Sequence, residues 1–288
     1  MRATVDSPAA PAAPATTPAK AGPPVNRMEQ LLKTISASRL SCWLSCRLKF
    51  FYRYVQQIPK APTAALHVGS VVHEVLKAWN KARWRKEPFQ VEFFQDLFGQ
   101  QWTALQTDKK IDWEEEAGHR GQAWGLLQTY FTETPIQADE RPQAVEAPVE
   151  AELSGLPTLV GIIDLVRAGG RIVDFKTAGK TPTAAHALHQ HELQLTTYGL
   201  LYREATGSKE SGLELHHLVK LKTPKLVITS QGPVSPAQET RLLRAIASYV
   251  AGLQRQDFVP SPGLQCLACE YFGECRASTG KESHGPPV

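Results

Sequence analysis

The sequence predicts an α/β protein: a mixed central sheet flanked by helices, with a further helical layer supplied by its first half. Three observations lead there. The first half reads as helical, the middle carries short β-branched runs divided by glycine and proline, and the second half alternates helix with strand.

In chain order, residues 1–27 are dominated by alanine, proline and threonine, with too few large apolar side chains to offset their own ordering entropy, so a disordered tail is expected. Residues 277–288 read the same way. A basic, aromatic helix is predicted from Ser38, its expected N-cap, to Val55, and further helices over 66–85, 89–106 and 114–132. AVEAPVEAEL, TLVGIIDLVRA and RIVDFKT then predict a meander of strands. A helix over 183–204, strands over 213–221 and 225–229 and a last helix over 235–255 complete a single expected domain, residues 28–276.

Composition narrows the possibilities. A chain of 288 residues with 42% hydrophobic content can bury one substantial core. Lysine plus arginine exceed aspartate plus glutamate by 32 to 28, a net charge of +4 that suits a polyanionic partner without requiring one. No apolar stretch approaches the roughly 20 residues of a membrane helix, and the N-terminus lacks a secretory apolar core, so a soluble, cytoplasmic protein with no membrane partner is expected. The five cysteines form an odd set with three inside ten residues, a distribution that suits metal ligation in a reducing compartment.

The chemistry centres on GIIDLVRAGGRIVDFKT. Residues two apart in a strand share a face about 6.6 Å apart, so Asp174 and Lys176 project together while Phe175 points to the core. A two-residue Gly169-Gly170 turn would send Asp164 to the other face. A three-residue Ala168-Gly169-Gly170 loop pairs Asp164 with Asp174, and that loop is the expectation. Two such carboxylates, about 5 Å apart, repel unless a cation lies between them. Hard oxygen ligands favour Mg²⁺ or Mn²⁺, which can polarise a phosphodiester and activate water. From these residues alone, a solvated hairpin with a surface ion pair fits as well.

Other segments add to the cluster. In HVGSVVHEVLKAW, Gly69 lies four residues before His73 on a predicted helix, where a residue without a side chain lets the helix approach another element. Gln194 and Tyr198, four apart on a predicted helix, offer an amide and a phenol on one face. AGKT at 178–181 ends like a phosphate loop, but Asp174 occupies the position where the required first glycine should be, so no motor is expected.

CLACEYFGEC places Cys266, Cys269 and Cys275 in one compact loop that lacks a fourth ligand, for which Cys42 and Cys46 are candidates. Metal chemistry alone suits zinc and a [4Fe-4S] cluster equally. Around Cys46, Arg39, Arg47, Lys49 and Arg53 alternate with aromatic residues, a mixture suited to phosphate contacts or, for the aromatics, to a core.

In motif order these segments resemble the RecB-like nucleases of the PD-(D/E)XK superfamily, whose pattern G-x-x-x-H, G-x-x-D, D-x-K, Q-x-x-x-Y falls on Gly69 to His73, Gly161 to Asp164, Asp174 to Lys176 and Gln194 to Tyr198. The resemblance spans roughly residues 35–276. It implies a restriction-endonuclease-like core, and a Mg²⁺ or Mn²⁺ ion held by His73, Asp164, Asp174 and the Phe175 carbonyl. Lys176 would position the attacking water, with Gln194 and Tyr198 beside it. The iron-sulfur branch, which includes AddB-type domains and CRISPR-associated nucleases, further implies a [4Fe-4S] cluster on Cys46, Cys266, Cys269 and Cys275; Arg47 stands where that branch carries proline. DNA, single-stranded or with free ends, is the implied substrate, with a separate helicase or a repair or defence protein as a possible partner.

Overall fold

The computed structural model describes residues 27–87, 90–106, 111–137 and 139–278. Among these, the β-branched runs of the middle form a six-stranded mixed sheet: β1 (Thr34–Ile35), β2 (Ala144–Ala151), β3 (Thr158–Arg167), β4 (Arg171–Ala178), β5 (Gly212–Val219) and β6 (Lys225–Gln231). The helices are α1 (Arg27–Lys33), α2 (Ala37–Ser45), α3 (Arg47–Phe50), α4 (Ala64–Arg85), α5 (Val91–Ala104), α6 (Glu116–Glu133), α7 (Ala184–Gln190), α8 (Glu192–Thr206), α9 (Pro236–Gln254) and α10 (Phe272–Ser278). The mixed α/β architecture expected from sequence is therefore present.

The sheet divides two hydrophobic cores, and the alternation of β4 shows how. Ile172 packs with Trp43, Phe50, Leu195 and Ile246 on one side; Val173 and Phe175 pack with Val72, Leu76 and Leu127 on the other. The expectation that Phe175 faces the core holds, and its ring meets Tyr130 edge to face at 5.5 Å. Asp174, between two core-facing residues, must project toward the first side.

The strand register creates the functional feature of the fold. Loop Ala168-Gly169-Gly170 joins β3 to β4 with Arg167 opposite Arg171, and both glycines take positive φ, 78° and 77°, a conformation an L side chain disfavours. The three-residue loop is thus observed. However, the ladder ends at Leu165–Val173, so Asp164 and Asp174 are not ladder partners as the sequence suggested. The reason is competition for one edge of β3. β2 occupies the opposite edge throughout, leaving β1 to pair at Thr158 and Leu159 and β4 at Leu165 to Arg167. Beyond Val173, β4 follows β5 instead, with which it pairs from Arg171 to Ala178. A fork opens between β3 and β4.

Three local expectations are corrected. Ser36, not Ser38, caps α2, its Oγ accepting the Arg39 N–H at 3.4 Å. The predicted helix to Val55 is interrupted at Cys46, whose extended backbone lets its sulfur accept the Lys49 N–H at 3.5 Å; α3 then runs into a π-helical turn, Phe51–Val55. The predicted helix over 183–204 breaks at His191 into α7 and α8. The expected tails lie outside the described residues, except that Arg27 opens α1 and residues 277–278 end α10. No described helix is long and apolar enough to cross a membrane.

Candidate active site

The fork between β3 and β4 floors a cleft of about 960 Å³, walled by α4 on one side and α8 on the other. Two glycines permit this close assembly. A Cβ at Gly161 would lie 2.7 Å from a Leu201 methyl, and one at Gly69 would lie 3.3 Å from the Thr177 hydroxyl, so a larger residue at either position would have to displace its neighbour. The structural reason for Gly69, one turn before His73, is the one expected.

His73 reaches the fork from α4, with Nε2 2.8 Å from the Phe175 carbonyl and Nδ1 3.7 Å from Asp164 Oδ2. That same Asp164 oxygen accepts the Phe175 backbone N–H at 3.0 Å, replacing the ladder bond lost where the strands part. Burial, and then the charge of Asp174, push the Asp164 carboxyl up to about 6. Asp174, only 1% exposed, is held from two directions. Gln194 Nε2 donates to its Oδ1 at 3.0 Å, and Lys176 Nζ lies 2.6 Å from its Oδ2. Gln194 also donates to the Tyr198 hydroxyl at 2.9 Å, and burial pushes that phenol well up, so it stays protonated.

Sequence reading missed one acid here. Glu146 of β2 joins His73 and Asp164, and their ligand atoms lie within 4.8 Å of one another. The β2–β3 register places Glu146 across from Asp164, between the pairs Val145–Leu165 and Ala147–Ile163. Its φ of +49° is unusual for a non-glycine residue in a strand. Burial raises its pKa against the opposing charges of Lys77 and His73. Nothing in AVEAPVEAEL marks Glu146 above Glu150; only strand register does.

The donors therefore divide differently from the implied set. His73, Glu146 and Asp164 converge, and the Phe175 carbonyl adjoins them through His73, whereas Asp174 is engaged by Gln194 and Lys176 outside that trio. An imidazole and two hard, half-buried carboxylates whose charges are mutually unfavourable form a donor set that fits a divalent cation.

The cations expected to meet DNA have partners inside the chain. Arg47 is ion-paired with Asp257, Lys49 with Glu270 at 2.8 Å, and Arg53, half exposed, more loosely with Glu270 at 3.8 Å. Arg39 donates to the Thr34 carbonyl at 2.5 Å. Sequence composition showed the cations but not the acids, which lie more than 200 residues later. The interleaved Trp43, Phe50, Phe51 and Tyr52 are buried in the core. Cys46 faces the same C-terminal segment as these pairs. The Cys275 thiol is pushed up by burial and by neighbouring Cys46, Cys266 and Cys269, while burial pushes Cys42 up to about 11.

Comparison with known proteins agrees with this fold. The crystal structure of a candidate exonuclease from Eubacterium rectale aligns over 91% of this chain and 93% of that one, with a TM-score of 0.58 at 14% identity, a likeness of fold. The crystal structure of SSO0001 aligns over 87% and 92%, at 13% identity and a TM-score of 0.40, too loosely to bear on the fold. No curated protein matches the sequence. The sequence description of the PD-(D/E)XK nuclease superfamily matches residues 34–276, a span that contains the whole fork and both of its walls, and the chain belongs to that superfamily.

Proposed function

We propose that this chain is a Mg²⁺- or Mn²⁺-dependent deoxyribonuclease, an exonuclease acting on single strands or free ends in DNA repair, recombination or defence. The observation that carries this reading is the convergence of His73, Glu146 and Asp164 at the fork, with Asp164 held at a pKa of about 6 by burial and a neighbouring carboxylate. A divalent cation on these donors would supply Lewis-acid polarisation of a phosphodiester and a nucleophilic water. Asp174 and the Phe175 carbonyl complete the surroundings. Lys176, 24% exposed and anchored by Asp174, presents its ammonium to the cleft, where it can orient a water or offset phosphate charge. Gln194 fixes Asp174, and the protonated Tyr198 can only donate its hydroxyl or accept from Gln194.

The test is cleavage of end-labelled single- and double-stranded DNA with Mg²⁺, with Mn²⁺ and with EDTA, by the wild type and by Asp174→Ala and Lys176→Ala. Metal-dependent shortening from an end by the wild type, lost in both variants, is expected. Equal cleavage by all three proteins would falsify the assignment.

The same reading includes a [4Fe-4S] cluster on Cys46, Cys266, Cys269 and Cys275, joining the two ends of the fold in a structural role. Three features support it. The Cys275 thiol is pushed up in part by the nearby Cys46, Cys266 and Cys269, Cys46 already accepts a backbone N–H, and Cys42 is held as a protonated thiol. Iron and acid-labile sulfide in anaerobically purified protein are expected; zinc without sulfide would overturn this assignment.

A further inference from the structure

Beside the cleft, and sharing Lys176 and Thr177 with it, lies a second pocket of about 620 Å³. The two cavities differ in charge. The cleft carries four acids, Glu74, Glu146, Glu150 and Asp164, whereas the second pocket is lined by two lysines, three histidines, threonines and a glutamine, with no carboxylate at all. The segment 178–181, dismissed above as a phosphate loop on sequence grounds, forms part of its wall, with exposed Lys180 at its rim.

One residue in this wall is unaccounted for. His217 of β5 lies opposite Lys176 in the sheet, is 4% exposed, and has no hydrogen-bond partner for its buried Nδ1 among the described residues. Buried polar atoms are ordinarily paired, so an unpartnered nitrogen on a pocket-lining residue leaves bonding capacity for a ligand. His191, at the break between α7 and α8, lies 5.9 Å from His217 ring to ring. Burial and the charge of Lys176 keep both imidazoles neutral, His191 down at about 4. Asp174, the acid both imidazoles sense, is itself ion-paired with Lys176.

Among the described residues the group of metal-ligating donors drawn within 4.8 Å is the trio at the fork, and these histidines are not in it. What remains is a concave surface of N–H, O–H and ammonium groups without acids, the chemistry of an anion pocket. It adjoins the cleft through the shared Lys176 and Thr177.

We propose that this pocket, built on His217, His191, His186 and Lys180, binds a phosphate group of the nucleic acid adjoining the one at the fork. The proposal deepens the nuclease reading and rests on it for the identity of the polymer. The phosphate has two sources, a chain-terminal monoester or an internal diester, and the experiment separates them.

Binding is measured on the full chain in EDTA, by fluorescence anisotropy of oligonucleotides with a 5′-phosphate, a 3′-phosphate or hydroxyls at both ends. The variants are His217→Gln, which keeps a polar side chain in the wall, and the exposed pair Lys180→Ala with His186→Ala, which leaves the core untouched. A terminal-phosphate pocket gives the wild type about tenfold tighter binding of one phosphorylated end, erased in both variants. An internal-phosphate pocket gives no end preference, but both variants weaken every oligonucleotide about tenfold, and Lys180→Ala with His186→Ala, which removes a cation, also flattens the salt dependence. Unchanged affinity for all three oligonucleotides in both variants would overturn the proposal. Cleavage with Mg²⁺, run in parallel, should show a raised KM with kcat within about twofold for Lys180→Ala with His186→Ala. Lack of cleavage by the wild type would sink the nuclease reading alone, because the metal-free binding still decides the pocket.

Discussion

Two charged regions of this molecule use the same kinds of side chain in opposite ways. Where the chain ends meet, Arg47, Lys49, Arg53 and Lys60 each face an acid, Asp257, Glu270 or Glu274, and opposite charges are matched. At the fork, Glu146, Asp164 and Asp174 crowd together with like sign, and of the described cations only Lys176 pairs with one of them, aside from the imidazole of His73. Matched charges hold parts in place. Mismatched buried charges are retained at a cost to stability, and that cost is intelligible where a cation or a charged substrate removes it.

The contrast can be broken at either end. The largest expected effect on stability is at the clasp. The proposed cluster, joining Cys46 to the 266–275 loop, would close more than 200 residues of chain, which by loop-closure entropy would be worth on the order of 5 kcal/mol. Cys46→Ser should therefore lower Tm far more than Cys42→Ser does after correction for core packing, and an equal loss in the two variants would remove Cys46 from the ligand set.

At the fork the sign reverses. Because the folded Asp164 carboxyl titrates at about 6, above its ordinary 3.8, the metal-free folded state takes up this proton more readily than the unfolded chain. Its contribution thus destabilises the fold at neutral pH, and the penalty is relieved as pH falls through 6 toward 4. Asp164→Asn should raise the Tm of the EDTA-treated protein at pH 7.5, by roughly 2–4 °C for each kcal/mol relieved, while abolishing cleavage. A lower Tm would show that the carboxylate is stabilising there.

The smallest effect belongs to the partly exposed pairs. A double-mutant cycle on Lys49→Ala and Glu270→Ala should give a coupling of about 0.2–1 kcal/mol in stability. If Lys49 instead served the substrate, Lys49→Ala would weaken DNA binding and reduce its salt dependence, whereas Glu270→Ala would strengthen it. Unchanged DNA affinity in both is the expected result.

What was legible in the sequence follows the same division. The Ala168–Gly170 loop, the alternation of Asp174, Phe175 and Lys176, and the role of Gly69 are local properties of a strand, a turn or a helix, and each can be read from spacing. The parting of β3 and β4 is not local, because it depends on β1 sharing one edge of β3 and on β4 following β5 along its other edge, and so the ladder pairing of Asp164 with Asp174 was expected and is absent. Glu146 was invisible for a similar reason: its place opposite Asp164 exists only once β2 has paired with β3. Glu270 lies so far from Lys49 in sequence that a basic segment looked free when it was not. The break at Cys46 was missed because a cysteine that caps a helix with its sulfur has no propensity signature comparable to that of serine or aspartate.

The central claim is that the fork is a divalent-cation site made by His73, Glu146 and Asp164. Mn²⁺ binding followed by electron paramagnetic resonance tests it without relying on turnover, using the wild type, Glu146→Gln and Asp164→Asn, each shown to be folded by circular dichroism. The account predicts saturable Mn²⁺ binding by the wild type, weakened at least tenfold by Glu146→Gln and lost in Asp164→Asn. Equal Mn²⁺ affinity in all three folded proteins would contradict it.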